Sequence, residues 1–253
     1  MIEIFQEFEK FRDVKYFDKD HTYTIKGQEG LGVSKLISKF KQPFNGDFHA
    51  SKKAIQRGVS KETILQEWDY KKELACEKGH IFHEFCENYE ANKIKPLEKN
   101  ITYTELYKEL PPLEDMFIRF KEDTKGKLIP IASELVVGDY GYNLCGTIDK
   151  IYYNVKYKCL QIFDWKTNSK FNFNNKFQKY KRPLSHLEEC EYNTYSFQLS
   201  AYRWILEQNT NLKFGDSYAI WFSLQNPSYR VIKMLDLRKE VEEALEWNLN
   251  HGN

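Results

Sequence analysis

The sequence has no long apolar run, no paired cysteines and almost no net charge, and each absence excludes something. No stretch is long and apolar enough to cross a bilayer, and the opening residues, MIEIFQEFEKFRD, lack the pattern of a signal peptide. A cytoplasmic protein, in a bacterium or a phage-infected host, is expected, with no membrane partner. The five cysteines (Cys76, Cys86, Cys145, Cys159, Cys190) are odd in number, widely spaced and form no CxxC pair. That argues against a disulfide framework or a zinc site. Lysine and arginine (38) nearly cancel aspartate and glutamate (37), so any nucleic-acid footprint has to be local. Internal repeats and low-complexity linkers are also missing. One domain over residues 1–253 is expected, with an N-terminal strand and helical region to about residue 125 and an α/β core from 126.

What is present is a globular composition: 41% hydrophobic and 16% aromatic residues beside 30% charged ones. Residues 21–26 read as a short strand, followed by a turn at Gly27 and Gly30, and Ser34 is placed to cap a short helix carrying Leu36, Ile37 and Phe40. Residues 61–92 are helical in pattern, with Ser60 as N-cap and Gly79 as a break. Phe82, Phe85, Cys86 and Tyr89 mark the buried face of its second half. Pro111-Pro112 introduces a helix over 113–125. Three β-branched and aromatic runs follow, 131–137, 144–153 and 159–166, then a basic loop over 167–189 and a helix over 192–208. Strands at 217–224 and 229–235 precede a final helix capped by Asp236, with Leu237, Val241, Ala244 and Leu245 on its apolar side. This order predicts an α/β fold, a central mixed β-sheet flanked by helices on both faces.

The chemistry begins at Phe163-Asp164-Trp165-Lys166. Residues two apart on a strand share a face, so Asp164 and Lys166 project together. An acid and a base there, beside apolar Ile162, are costly unless paired or bound to a metal. A lone DxK is more often a surface ion pair at a strand end. The preceding strand, however, carries Gly146-Thr147-Ile148-Asp149. If the two strands pair, Asp149 lies beside Asp164, and two carboxylates that close call for a divalent cation. Oxygen donors of this kind suit Mg²⁺ or Mn²⁺.

The succession G-x-x-D, then D-W-K, resembles the signature of the PD-(D/E)XK nucleases, whose core is restriction-endonuclease-like. Gly79-His80-Ile81-Phe82-His83 resembles the G-x-x-x-H helix of the RecB-like exonuclease branch. Glu134 matches the glutamate on the strand before G-x-x-D, and Gln198-Leu199-Ser200-Ala201-Tyr202 matches the Q-x-x-x-Y helix. The region from Tyr16 to Phe40 is similar to the N-terminal part of phage-encoded nucleases and the mitochondrial genome maintenance exonuclease. The resemblance implies a metal-dependent DNA exonuclease of phage or bacterial DNA processing, acting on single-stranded or end-containing DNA and leaving 5′-phosphates. A structure-specific endonuclease, or a non-catalytic DNA-binding module on the same fold, is the alternative. Some relatives hold an iron–sulfur cluster on four cysteines, three of them downstream. Only Cys190 follows the catalytic strand here, so no cluster is expected.

The resemblance assigns roles. His83, Asp149, Asp164 and the Trp165 backbone carbonyl hold one or two Mg²⁺ or Mn²⁺ ions. Lys166 stands beside the attacking water. Glu134 touches a metal through water or orients the site. Gln198 and Tyr202, on one helix face with Tyr195 nearby, contact the scissile phosphate or order Lys166. His80 is peripheral, since it sits about 60° further from the apolar face than His83. From the residues themselves, the loop interleaves Lys170, Lys176, Lys179, Lys181 and Arg182 with Phe171, Phe173, Phe177 and Tyr180. That pattern suits a single strand of nucleic acid, with Lys170 and Lys176 as contacts. Protein partners leave no trace in the sequence.

Overall fold

The structure is a computed structural model that describes residues 2–91 and 101–251. The chain begins with α1 (Ile2–Phe8), β1 (Val14–Phe17), β2 (Thr22–Ile25), β3 (Gln28–Gly32) and α2 (Val33–Ser38). Two helices, α3 (Gly46–Arg57) and the 30-residue α4 (Lys61–Glu90), form a hairpin, and α5 (Leu106–Thr124) follows. Then come β4 (Leu128–Asp139), β5 (Leu144–Asn154), β6 (Cys159–Lys166), α6 (Glu191–Asn209), β7 (Tyr218–Trp221), β8 (Arg230–Lys233) and α7 (Arg238–His251). All eight strands join one mixed sheet in the order β1-β2-β3-β5-β6-β7-β8, with β4 paired to β5.

Helices cover both faces, as the alternation of elements predicts. α2, α6 and α7 bury Leu36, Phe197, Leu199, Ile205, Val241 and Leu245 against Ile151 and Ile162 of the sheet. On the other face, α4 and α5 bury Phe82, Cys86, Leu110 and Phe117 against Tyr152, Phe163, Trp165 and Phe222. β6 lies between the two layers, and seven of its eight residues are buried. A strand covered on both sides is expected to read as a near-continuous apolar run, which makes the acid at Asp164 more conspicuous.

Several local expectations needed correction. Gly30 lies within β3, paired with Tyr23, rather than in the turn, which Lys26 and Gly27 make with positive φ. The N-cap of α2 is Gly32, and Ser34 sits inside the helix. Ser60 does cap α4, its hydroxyl accepting from the Thr63 N–H at 3.0 Å, but Gly79 does not break it. An interior glycine costs only about 1 kcal/mol, less than the burial of Phe82 and Cys86 just beyond it returns. The expected end at residue 92 falls outside the described residues. α5 starts at Leu106 and carries both prolines inside. Leu106, Leu110, Leu113, Phe117 and Phe120 form one buried stripe, and at roughly 1.5–3 kcal/mol each they outweigh the lost backbone hydrogen bonds. α1, β1 and α3 were not foreseen. They are short or weakly patterned, and β1 is fixed by pairing with β2 rather than by its own sequence.

Candidate active site

The site sits in a fork of the sheet. Along one edge, β5 pairs with β4 over its whole length. Along the other, β3 pairs only with Leu144 and Cys145, and β6 only with Lys150 through Asn154. Among the described residues, the segment Gly146-Thr147-Ile148-Asp149 thus has no strand on that edge. Asp149 stands where the β5–β6 ladder would take its next step, opposite Asp164. A side chain replaces the backbone there: Asp149 Oδ2 accepts a hydrogen bond from the Trp165 N–H at 2.8 Å.

α4 crosses this fork and brings His83 into it. His83 Nε2 lies 3.0 Å from the Trp165 carbonyl oxygen. A carbonyl only accepts, so Nε2 carries the proton and Nδ1 faces the carboxylates, 3.6 Å from Asp149 Oδ2 and 3.8 Å from Glu134 Oε1. Glu134 arrives by a backbone kink. It has φ +47° in the middle of β4, between Ser133 opposite Lys150 and Leu135 opposite Ile148. A left-handed glutamate costs on the order of 1–3 kcal/mol and persists only where its surroundings hold it. One donor atom from each of His83, Glu134 and Asp149 lies within 4.8 Å of the others.

This donor set fits a divalent cation. Enclosure alone would lower the His83 pKa, but the charges of Asp149 and Glu134 outweigh it and raise it to about 9. The two carboxylates thus favour a positive charge on the ring between them, where a cation would go.

Asp164 is placed differently. Its carboxylate is buried and meets Lys166 Nζ at 2.5 Å. Burial raises its pKa above the usual carboxylate range, against the pull of Lys166. Burial works the other way on Lys166, yet the charges of Asp164 and Asp149 outweigh it and hold the ammonium protonated. Lys166 Nζ also lies 4.6 Å over the ring of Tyr195, a cation–π contact that fixes the amine from above.

The remaining expected residues divide. Gln198 donates to the Tyr202 hydroxyl at 2.8 Å. Tyr202 is buried, its ring so close over Gly146 that a Cβ there would lie 2.3 Å from Cε1. Only Gln198 of this pair is partly open to solvent. In the loop, Phe171 and Tyr180 are core residues, while Phe173 and Phe177 are exposed. Lys170 and Lys176 are exposed as well, and neither lines the clefts beside His83. His80 is exposed, with its ring 6.3 Å from that of His21.

Two clefts meet at the donors, one on each side of α4. The first, about 490 Å³, is lined by Lys71, Lys78, Trp165, Lys166, Asn168 and Tyr195, among others. The second, about 750 Å³, is lined by Tyr16, Tyr23, Glu84, Glu87, Glu134 and Thr147, among others. They share Ala75, Gly79 and His83. These fall four apart along one stripe of α4, two of them with almost no side chain. A Cβ on Gly79 would meet nothing nearer than Thr167 Oγ1 at 4.0 Å, so packing does not demand glycine; the empty space belongs to the cleft.

Sequence reasoning missed what supports the donors. Glu90, two turns beyond His83 on α4, has a side chain only 4% exposed and pairs with both Lys150 and Lys121. It also accepts from the Tyr152 hydroxyl. Lys150 donates to Ser133 Oγ at 2.8 Å, and Lys121 lies 4.6 Å over the Tyr152 ring. Lys150 follows Asp149, and Ser133 precedes Glu134. This brace thus ties together the three elements that carry the donors. A lysine between Ile148 and Tyr152 on a buried strand was the available signal.

A family model of the PD-(D/E)XK nuclease superfamily matches residues 59–251. The chain belongs to that superfamily, whose members are nucleases that act on nucleic acid with divalent metals. A search of curated proteins returned no match.

Proposed function

We propose that the chain is a DNA exonuclease of the RecB-like branch, a single nuclease domain that degrades single-stranded or free-ended DNA with Mg²⁺ or Mn²⁺. The observation that carries this is the pair of clefts meeting beneath α4 at His83. A path that enters on one side of a helix and leaves on the other accepts a single strand by its end far more readily than a duplex. Among the described residues, no helix is long and apolar enough to cross a membrane, which fits a cytoplasmic enzyme.

In this reading His83, Glu134 and Asp149 hold the ion, with Asp164 and the Trp165 carbonyl as further ligands. When bound, the ion polarises the phosphodiester and lowers the pKa of a water. Lys166 keeps its proton between Asp164 and Tyr195 and stabilises charge developing on the phosphate oxygens. The water releases a proton to solvent as its oxygen bonds to phosphorus, the bond to the 3′-oxygen breaks, and that oxygen takes a proton from solvent to leave as a 3′-hydroxyl, so the phosphate stays on the 5′ side. Gln198, held by Tyr202, and Tyr195 orient the phosphate, and the loop lysines Lys170 and Lys176 contribute a weaker attraction.

The test is digestion of end-labelled linear single strands, linear duplex and circular single strands with Mg²⁺ or Mn²⁺, beside EDTA and Lys166→Ala. Metal-dependent loss of linear but not circular DNA supports the exonuclease. Cutting of circles makes it an endonuclease, and no cleavage by folded protein with either metal overturns the enzyme.

A further inference from the structure

A connected group of aromatic residues that the catalytic reading leaves unused sits on the hairpin of α3 and α4. α3 buries only Ala50 and Ala54, which pack with Ile64, Leu65 and Trp68. Its large apolar side chains face water instead: Phe48 is 61% exposed, and Phe44, just ahead of the helix, 69%. Scattered exposed apolar residues need no explanation, but these are joined. Phe44 stacks on His49 with centroids 4.9 Å apart and planes 7° apart. Phe48 meets the same imidazole edge-on at 5.4 Å, and Phe44 leans on Trp68 at 6.1 Å. Lys53 lies 5.8 Å over the Trp68 ring.

Charge and position give this surface a direction. Residues 39–72 carry eight lysines and arginines against four acids, in a chain whose totals are 38 and 37. Trp68, Lys71, Ala75, Gly79 and His83 share one face of α4 by helical spacing, and the last four line the cleft at the donors. The stacked rings therefore continue that cleft, about 22 Å along the helix from His83. The basic loop adjoins them, because Gln42 Nε2 donates to the Lys179 carbonyl at 3.0 Å.

We propose that this hairpin is a stacking platform for single-stranded nucleic acid, gripping the strand at a distance from the bond being cut. Flat, exposed rings beside an excess of cations recognise bases and phosphates without reading sequence. A platform for protein would not need that excess. The proposal rests on the nuclease reading only in supplying the strand.

The test uses oligothymidylates of graded length. The double variant Phe44→Ala, Phe48→Ala should raise KM about tenfold for strands long enough to reach from His83 to Trp68. kcat, and cleavage of strands too short to span that distance, should not change. Both residues are exposed, and circular dichroism confirms that the fold is kept. A KM unchanged at every length, or raised equally at every length, overturns the platform. Failure of the nuclease reading looks different: the wild type cleaves nothing. The platform is then judged by fluorescence anisotropy of labelled long oligothymidylate in EDTA, where about tenfold weaker binding by the double variant supports it and equal binding overturns it.

Discussion

Two clusters of charged side chains share α4, β4 and β5, and they are built to opposite ends. One joins Glu90 of α4 to Lys121, Lys150, Tyr152 and Ser133, where each acidic oxygen has a cationic partner and the lysines of β5 and α5 are largely or wholly out of solvent. The other joins His83 of α4 to Glu134 of β4 and Asp149 of β5, where carboxylates outnumber cations and two clefts open onto them. Two turns of α4 and one step along each strand separate them. The difference shows how a fold can place like charges close together: the balanced cluster fixes the spacing of the strands and helix, and the unbalanced one inherits that spacing and keeps its affinity for a cation. A buried ion pair is weak evidence of stability in itself, so geometry is the more economical reason for it here.

The largest effect should come from unbalancing the closed cluster. Glu90→Gln leaves two lysines enclosed without their counter-charge and is expected to destabilise the protein by about 3–5 kcal/mol in chemical denaturation. Metal affinity of the protein that remains folded should fall about 10–100-fold, as for other groups that orient ligands. Next, Lys166→Ala is expected to reduce cleavage about 10²–10³-fold, and to cost some stability because buried Asp164 loses its cation, though less than Glu90→Gln, which strands two lysines. A comparable loss in stability would move Lys166 into the structural cluster. Glu134→Gln should weaken metal binding at least about tenfold and leave KM for DNA nearly unchanged, which steady-state kinetics at graded metal concentrations can separate. The smallest effect carries opposite signs. Gly79→Ala should stabilise α4 by about 1 kcal/mol, yet slow cleavage, because the added methyl occupies the space shared by the two clefts. Faster cleavage would mean that the strand does not pass there.

The sequence carried the donors and hid their arrangement. That Asp149, Asp164, Lys166 and His83 lie near one another was legible because strand alternation and ordered motifs constrain them together. The kink that aims Glu134 was not, since a left-handed φ at a glutamate has no signature in residue type. Nor was the divergence of Asp164 toward Lys166, which depends on the fork between β3 and β6, a matter of which residues of β5 are paired on one edge. Gly79 and Pro111-Pro112 misled in the same way: local propensity favoured an interruption worth one to about 3 kcal/mol, and burial of Phe82, Phe117 and Phe120 across helix and sheet outweighed it. The brace escaped notice because its members are far apart in the chain, from Glu90 to Tyr152, and each alone reads as an ordinary surface charge or core tyrosine.

Calorimetric titration with Mn²⁺ tests the central claim most directly, comparing wild type, Asp149→Asn and Glu90→Gln at matched folded fractions. Wild type should bind the ion saturably, Asp149→Asn should lose that binding, and Glu90→Gln should bind more weakly but measurably. Equal binding by wild type and Asp149→Asn would contradict that claim, placing the cation somewhere other than between His83, Glu134 and Asp149.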